Sequence, residues 1–183
     1  MSRNEIRIAG AGGQGVVTAG RILAEAAILC GRAATHSQAY GPQARGGASR
    51  SDVVIDTEAI GFPLADEVDL LVILNSDAYL RYQPELGERG HLIIDGDCAP
   101  EHLSRHLCDS NVTKYPVVEK ARLLSGGQLV AGIVALGVVQ AFANVVDTEA
   151  LREAVATGVP ARHKELNLKA LEAGMQLVGG VRA

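Results

Sequence analysis

Two short glycine-rich segments concentrate the groups in this sequence that are able to hold a ligand. The first, GAGGQG at residues 10 to 15, follows the apolar stretch Ile6 to Ala9 and precedes helical spacing at Val17, Ile22, Leu23, Ala26 and Ala27. Gly10, Gly12 and Gly15 match G-x-G-x-x-G in the order strand, turn, helix, where backbone N–H groups at a helix start meet phosphate. A dinucleotide site further needs an Asp or Glu about 20 residues on, to bind the ribose hydroxyls. The segment in that place reads Ala33, Ala34, Thr35, His36, Ser37, Gln38 and holds no acid. Three readings stay open on the residues alone: an ordinary NAD or flavin site, a tight turn without a ligand, and a loop that meets an anion or part of a cofactor.

The second segment is Tyr40, Gly41, Pro42, Gln43, Ala44, Arg45, Gly46 and Gly47, with Arg50 following. Small and rigid residues around one guanidinium fix its place, an arrangement suited to gripping a carboxylate or phosphate through two parallel hydrogen bonds. The plain alternative is a solvated loop arginine or a salt bridge to a neighbouring chain. His36 beside Ser37 has the types of a base and a nucleophile. With no orienting acid near it, a structural role is expected. Cys98, His102, His106 and Cys108 can be drawn as zinc ligands, but their spacing is no recognised finger pattern. No catalytic residue and no metal ligand is assigned.

The elements that must position these segments follow from the hydrophobic pattern. VDLLVILN at 68–75 is nearly all apolar, as in a strand covered on both faces of a parallel sheet. Further strands are expected at 6–9, 33–38, 51–56, 91–95 and 112–117. Helices are expected at 16–30, 76–86, 128–143, 148–156 behind Asp147 as N-cap, and 162–178. The alternation predicts an α/β fold: one Rossmann-like domain over residues 1–183, a mostly parallel sheet with helices on both faces. Segment 128–143 is apolar nearly all round, so its helix should be buried on more than one side, with Gly132 and Gly137 admitting another backbone.

Composition narrows the function. The 183 residues carry a formal net charge of −4, which argues against nucleic acid or an anionic membrane as the main partner. Three cysteines, Cys30, Cys98 and Cys108, without CxxC spacing leave no disulfide framework and no four-cysteine iron–sulfur cluster within the chain. The longest apolar run, 129–139, is far short of the roughly 20 residues of a membrane span, and no signal-peptide pattern opens the sequence. A soluble cytoplasmic protein is expected.

The stretches GAGGQGVVTAGRILAEAA, SQAYGPQARGGASRSDVVI, LLVILNSDAYLRYQPEL and HLIIDGD, in that order, resemble the gamma subunit of the 2-oxoacid:ferredoxin oxidoreductases. The likeness is strongest to the 2-oxoglutarate branch, with pyruvate, ketoisovalerate and indolepyruvate enzymes as relatives. It covers nearly the whole chain, and its most specific parts are the GxGGQG and GPxxRGG loops. The resemblance implies a component of an enzyme that decarboxylates a 2-oxoacid on thiamine diphosphate. Such an enzyme passes electrons through iron–sulfur clusters to ferredoxin and the acyl group to coenzyme A.

It also implies alpha, beta and ferredoxin-like delta subunits as partners, which carry the thiamine diphosphate, its Mg²⁺ and the clusters. The isolated chain is then inactive and holds no cofactor alone. The sequence agrees with that division, having no GDG with a downstream NN pair and no cysteine set for a cluster. Carried over as contacts to coenzyme A or to a neighbouring subunit are Gly10, Gly12, Gly13, Gln14 and Gly15, then Tyr40, Gly41, Pro42, Arg45, Gly46 and Gly47. Two positions depart from the family pattern: Gln43 stands for a frequent Glu, and Gly132 for an Asn. Close packing of Gly132 against a second subunit, and a homodimer of the isolated chain through its C-terminal helices, are further expectations. Set against all this are a free-standing flavin or NAD(P) oxidoreductase and a purely structural scaffold subunit.

Overall fold

The computed structural model describes residues 3–40, 47–98, 111–127 and 129–179. Six strands form one sheet in the order β2-β3-β1-β4-β5-β6: β1 (Asn4–Ala11), β2 (Ala33–Tyr40), β3 (Ala48–Asp56), β4 (Val68–Ile73), β5 (Leu86–Asp95) and β6 (Val112–Tyr115). Strands β1, β4, β5 and β6 pair in parallel, as expected. The exception is β3, antiparallel to both β1 and β2. Its direction follows from chain length: seven residues separate β2 from β3, and a parallel return needs a crossover of about a dozen or more.

Helices cover the two faces unequally. One face carries α1 (Val16–Leu29), α3 (Val117–Ser125), α4 (Ala131–Ala143), α5 (Thr148–Gly158) and α6 (Lys164–Gly179), in a core that includes Ile6, Ile8, Val53, Val72 and Ile93 of the sheet. The other face carries α2 (Ser76–Tyr82), whose Ala78, Tyr79 and Tyr82 pack on Leu71, Ile73, Leu92 and Ile94. Strand β4 is therefore apolar on both faces, as its sequence predicts. No helix among the described residues is long and apolar enough to cross a membrane.

Local signals decide most boundaries. Asp147 caps α5, accepting hydrogen bonds from the Glu149 and Ala150 N–H groups at 2.9 and 3.0 Å. The cap of α2 is Asn75, which accepts from the Ala78 N–H at 3.0 Å, rather than Ser76 or Asp77. Strand β6 stops at Tyr115 because Pro116 lacks a donor, and α3 begins behind it. Periodicity alone missed α3, since Val117 and Val118 read as the end of a strand when their burial on one helix face is unknown.

Helix α4 is buried from Ala131 through Gln140 and is wrapped by α1, α3 and α6. This is the all-round apolar helix of the sequence, and its partners lie within the same chain. Gly137 meets Gly174 of α6 so closely that a Cβ at 137 would fall 2.9 Å from the Gly174 Cα and against the Leu171 carbonyl. Gly132 also packs internally: its N–H donates to the Gln14 carbonyl at 2.7 Å, beside Gly15. The contact expected with a second subunit is thus a contact with the first glycine loop, because the start of α4 abuts the start of α1.

Gly137→Ala should overpack the crossing of α4 and α6 and cost about 1–3 kcal/mol. For a chain of this size that is a fall of roughly 2–4 °C in Tm per kcal/mol, read by thermal unfolding.

Candidate functional site

The two glycine-rich segments meet because of one residue of β3. Gly10 at the end of β1 and Tyr40 at the end of β2 both pair with Ser49, from opposite sides. The GAGGQG loop therefore leaves the sheet at the same edge as the loop that Tyr40 opens and Gly47 closes. The end of β4 joins them, its Leu74 N–H donating to the Ala9 carbonyl at 2.8 Å. Ligands of open α/β sheets bind in the crevice outside the carboxyl ends of the strands, which is where this edge lies.

Within the first loop the residues divide by role. Gly12 and Gly13 are exposed, and Gly13 and Gly15 hold φ of +91° and +77°, where a side chain would be strained. Gly15 is the N-cap of α1 and offers no side-chain acceptor, and the helix start packs against α4, with Val16 buried and its N 3.0 Å from a Cβ placed on Gly132. Gln14 turns inward instead. Its Oε1 accepts from the Ala11 N–H at 2.7 Å and its Nε2 donates to the Leu74 carbonyl at 3.3 Å, so the side chain shapes the loop. Tyr40 is 64% exposed. Gly41, Pro42, Arg45 and Gly46 lie outside the described residues.

The geometry also bears on the dinucleotide alternative. In such sites the acid that binds ribose ends the parallel strand neighbouring β1. Here the neighbour of β1 on that side is the antiparallel β3, and β2, which carries His36 to Gln38, is one strand further out. Both the residue type and its place are missing.

Arg50 is already engaged. Its guanidinium pairs with Glu85 at 2.9 Å and Asp52 at 3.5 Å and lies 5.5 Å from the centre of the Tyr82 ring. Beneath it the buried Arg7 makes two hydrogen bonds to Asp52, at 2.6 and 3.1 Å, and one to Glu85 at 2.5 Å. Burial works against the Arg7 charge, but Asp52 and Glu85 outweigh it and hold the guanidinium more firmly protonated than usual. Sequence reading missed this network because Arg7, Asp52 and Glu85 lie far apart along the chain. Only the registers of β1 and β3, with the return of the chain after α2, bring them together.

With this geometry stated, likeness to known proteins becomes decisive. The family model for pyruvate ferredoxin/flavodoxin oxidoreductase matches residues 5–177. The chain belongs to that family. It is 39% identical to 2-oxoglutarate synthase subunit KorC of Methanothermobacter marburgensis over 180 residues, covering 96% of this chain and 97% of that one. Its fold matches the gamma subunit of a keto/oxoacid ferredoxin oxidoreductase from Geobacter sulfurreducens, with a TM-score of 0.80, 39% identity and 97% of both chains covered. It also matches 32% of the chain of a 2-oxoglutarate:ferredoxin oxidoreductase from Magnetococcus marinus, with a TM-score of 0.81 and 21% identity, over 98% of this chain. That enzyme was seen with 2-oxoglutarate, coenzyme A and succinyl-CoA bound.

The remaining candidates are internal supports in this member of the oxidoreductase family. His36 Nε2 lies 2.7 Å from the Oγ of fully buried Ser51, and the pair sits under Gly20 of α1. Of the residues drawn as zinc ligands only Cys98 is described, and no metal-ligating cluster occurs among the described residues. Burial, with Asp95 and Asp97 adding negative charge, pushes the Cys98 thiol up to about 12, so it carries no thiolate at neutral pH.

Two outcomes follow. Asp52→Asn leaves Arg7 buried with Glu85 alone, and should cost about 3–5 kcal/mol in denaturant unfolding, partly recovered when Arg7→Met is added. Burial first, then the Arg21 charge, hold the His36 imidazole below its ordinary range, so the folded chain binds that proton less readily than the unfolded one. The stability this confers is present above about pH 6.5 and is lost as pH falls from there towards the folded value. His36→Gln should flatten that part of the stability profile between pH 7 and 5.

Proposed function

We propose that this chain is the gamma subunit of a 2-oxoglutarate:ferredoxin oxidoreductase, one domain over residues 1–183 that supplies part of the coenzyme A site. The observation that carries the reading is the double pairing of Ser49, which sets both family loops at one crevice above an uncapped helix start. Coenzyme A fits such a place because its phosphates need N–H donors and positive charge. The N–H groups of the exposed Gly12 and Gly13 meet one phosphate, and Arg45 meets a second phosphate or a partner's carboxylate. Tyr40, Gly41, Pro42, Gly46 and Gly47 position that arginine, while Gly10 and Gln14 hold the first loop in shape.

The partners are alpha, beta and ferredoxin-like delta subunits, which hold thiamine diphosphate, Mg²⁺ and iron–sulfur clusters, with ferredoxin as acceptor. Thiamine diphosphate supplies the carbon chemistry of decarboxylation, and this chain contributes binding and orientation of the acyl acceptor. Exposed Phe62, Leu80, Leu123 and Leu129 give apolar surface for those partners, and for a homodimer when the chain is alone. Cys30 and Cys98 are unpaired, in keeping with a cytoplasmic site of action.

In the complete complex, Arg45→Ala removes charge-assisted hydrogen bonds of about 1.5–3 kcal/mol. The KM for coenzyme A should rise roughly tenfold to a hundredfold. Full assembly with unchanged coenzyme A dependence would leave this chain a scaffold. A stoichiometric flavin spectrum from the purified chain would instead restore the reductase reading.

A further inference from the structure

A cavity of about 150 Å³ opens beside the first turn of α1, walled by Gly15, Thr18, Val130, Ile133, Val159 and Leu166. It joins the glycine loop directly, since the Leu129 carbonyl would lie 2.8 Å from a Cβ placed on Gly15. The walls are mostly branched aliphatic side chains, and into them reaches one carboxamide, that of Asn167 on α6. Asn167 is 8% exposed, and one of its N–H groups donates to the His163 carbonyl at 2.8 Å. That bond to the residue four back accounts for one of the four hydrogen bonds a carboxamide can make. The amide oxygen and the other N–H have no protein partner among the described residues. That amide oxygen is not sealed from water, so it is available to a hydrogen-bonding ligand in the cavity.

Size and position describe that occupant. A cavity of about 150 Å³ takes a group the size of benzene, so it holds a piece of a ligand and not a whole cofactor. The piece must be apolar and compact towards Val130, Ile133 and Val159, and able to hydrogen-bond towards Asn167. It must also be joined to whatever lies at the exposed Gly12 and Gly13, where the N–H groups favour phosphate. Coenzyme A has one such part. Next to its pyrophosphate stands a quaternary carbon with two methyl groups, followed by a hydroxyl and an amide.

We infer that this cavity takes the pantoyl unit of coenzyme A. Its methyl groups lie among Val130, Ile133 and Val159, its hydroxyl and amide hydrogen-bond to Asn167, and its pyrophosphate lies at Gly12 and Gly13. The inference rests on the coenzyme A reading proposed above and assigns Asn167, a residue of neither family loop, to ligand binding. It also gives a reason for the hydrogen bond from the Gly132 N–H to the Gln14 carbonyl. That bond ties a cavity wall to the loop, so the two parts of the site keep one spacing.

The test uses the complete complex carrying Asn167→Leu, which removes the hydrogen bonds at similar volume, or Val159→Phe, which fills the cavity from its half-exposed rim. The probes are coenzyme A and 3′-phosphoadenosine 5′-diphosphate, which keeps the 3′-phosphate and the pyrophosphate and lacks the pantoyl unit. Each variant should weaken coenzyme A binding about tenfold and leave the nucleotide within about twofold. Equal weakening of both probes would place the effect on the loop and overturn the inference. If Arg45→Ala alters coenzyme A dependence while neither cavity variant does, the cavity is a solvated void and the coenzyme A reading survives. If all three variants bind as the parent does, that reading falls as well. Should Asn167→Leu prevent assembly, Val159→Phe alone decides by the same outcomes.

Discussion

The site of this protein depends on the place of β3. A strand running against its neighbours, between β1 and β2, would be an irregularity in a doubly wound sheet, yet here it sets the geometry. Antiparallel pairing puts the first residues of β3 against the last residues of both flanking strands, so Ser49 is shared by Gly10 and Tyr40. Two chain segments 30 positions apart, ending at Gly10 and Tyr40, are thereby fixed at one edge by ladder hydrogen bonds rather than by side chains. Register errors are strongly opposed, since a slip by one residue would turn Val53 and Ile55 out of the core and bring Asp52 in.

The two sheet faces then serve different ends. The face under α1 and α4 is mostly apolar, with the His36 and Ser51 pair set under Gly20, and holds the helices so tightly that glycine is needed where they touch. There Gly137 meets Gly174, and Gly132 meets the carbonyl side of Gly15. Because α4 grips the backbone of the glycine loop at Gln14 and Gly15, that end of the loop is fixed against the core while Gly12 and Gly13 stay exposed. The opposite face uses the Arg7, Asp52 and Glu85 network beside the small core of α2. Burying an ion pair gains little over an apolar pair of the same volume, but it fixes geometry. Here it locks β1 to β3 through Arg7 and Asp52.

Much of this was legible in the residues, and the parts that were not share one cause. Strand β4, the cap at Asp147, the glycine turn and the buried α4 each write their structure into a local pattern, so apolar run, capping residue and φ-positive glycine sufficed. The direction of β3 was hidden because alternation marks a strand without marking its partner. Nothing local in the sequence marks the pairing of Arg7 with Asp52 or the inward turn of the Gln14 side chain. Asn167 sits in an unremarkable stretch, KELNLKAL, where no spacing signals that the residue is buried. Contacts distant along the chain are what a single sequence withholds, and functional sites of α/β proteins are built from such contacts.

The chemistry available to the chain fits that division of labour. His36 is half-buried beneath α1 with its Nε2 against the Ser51 Oγ, and the Cys98 thiol is held from ionisation first by burial and then by two neighbouring acids. Neither can act as base or nucleophile on a substrate outside. Beside the exposed Gly12 and Gly13 lies a mostly apolar cavity, lined also by Thr18, His163 and Asn167. On the function proposed above, the task of this chain is to hold one reactant still, and that requires a rigid edge, which the inserted β3 and the glycine loop tied to α4 provide.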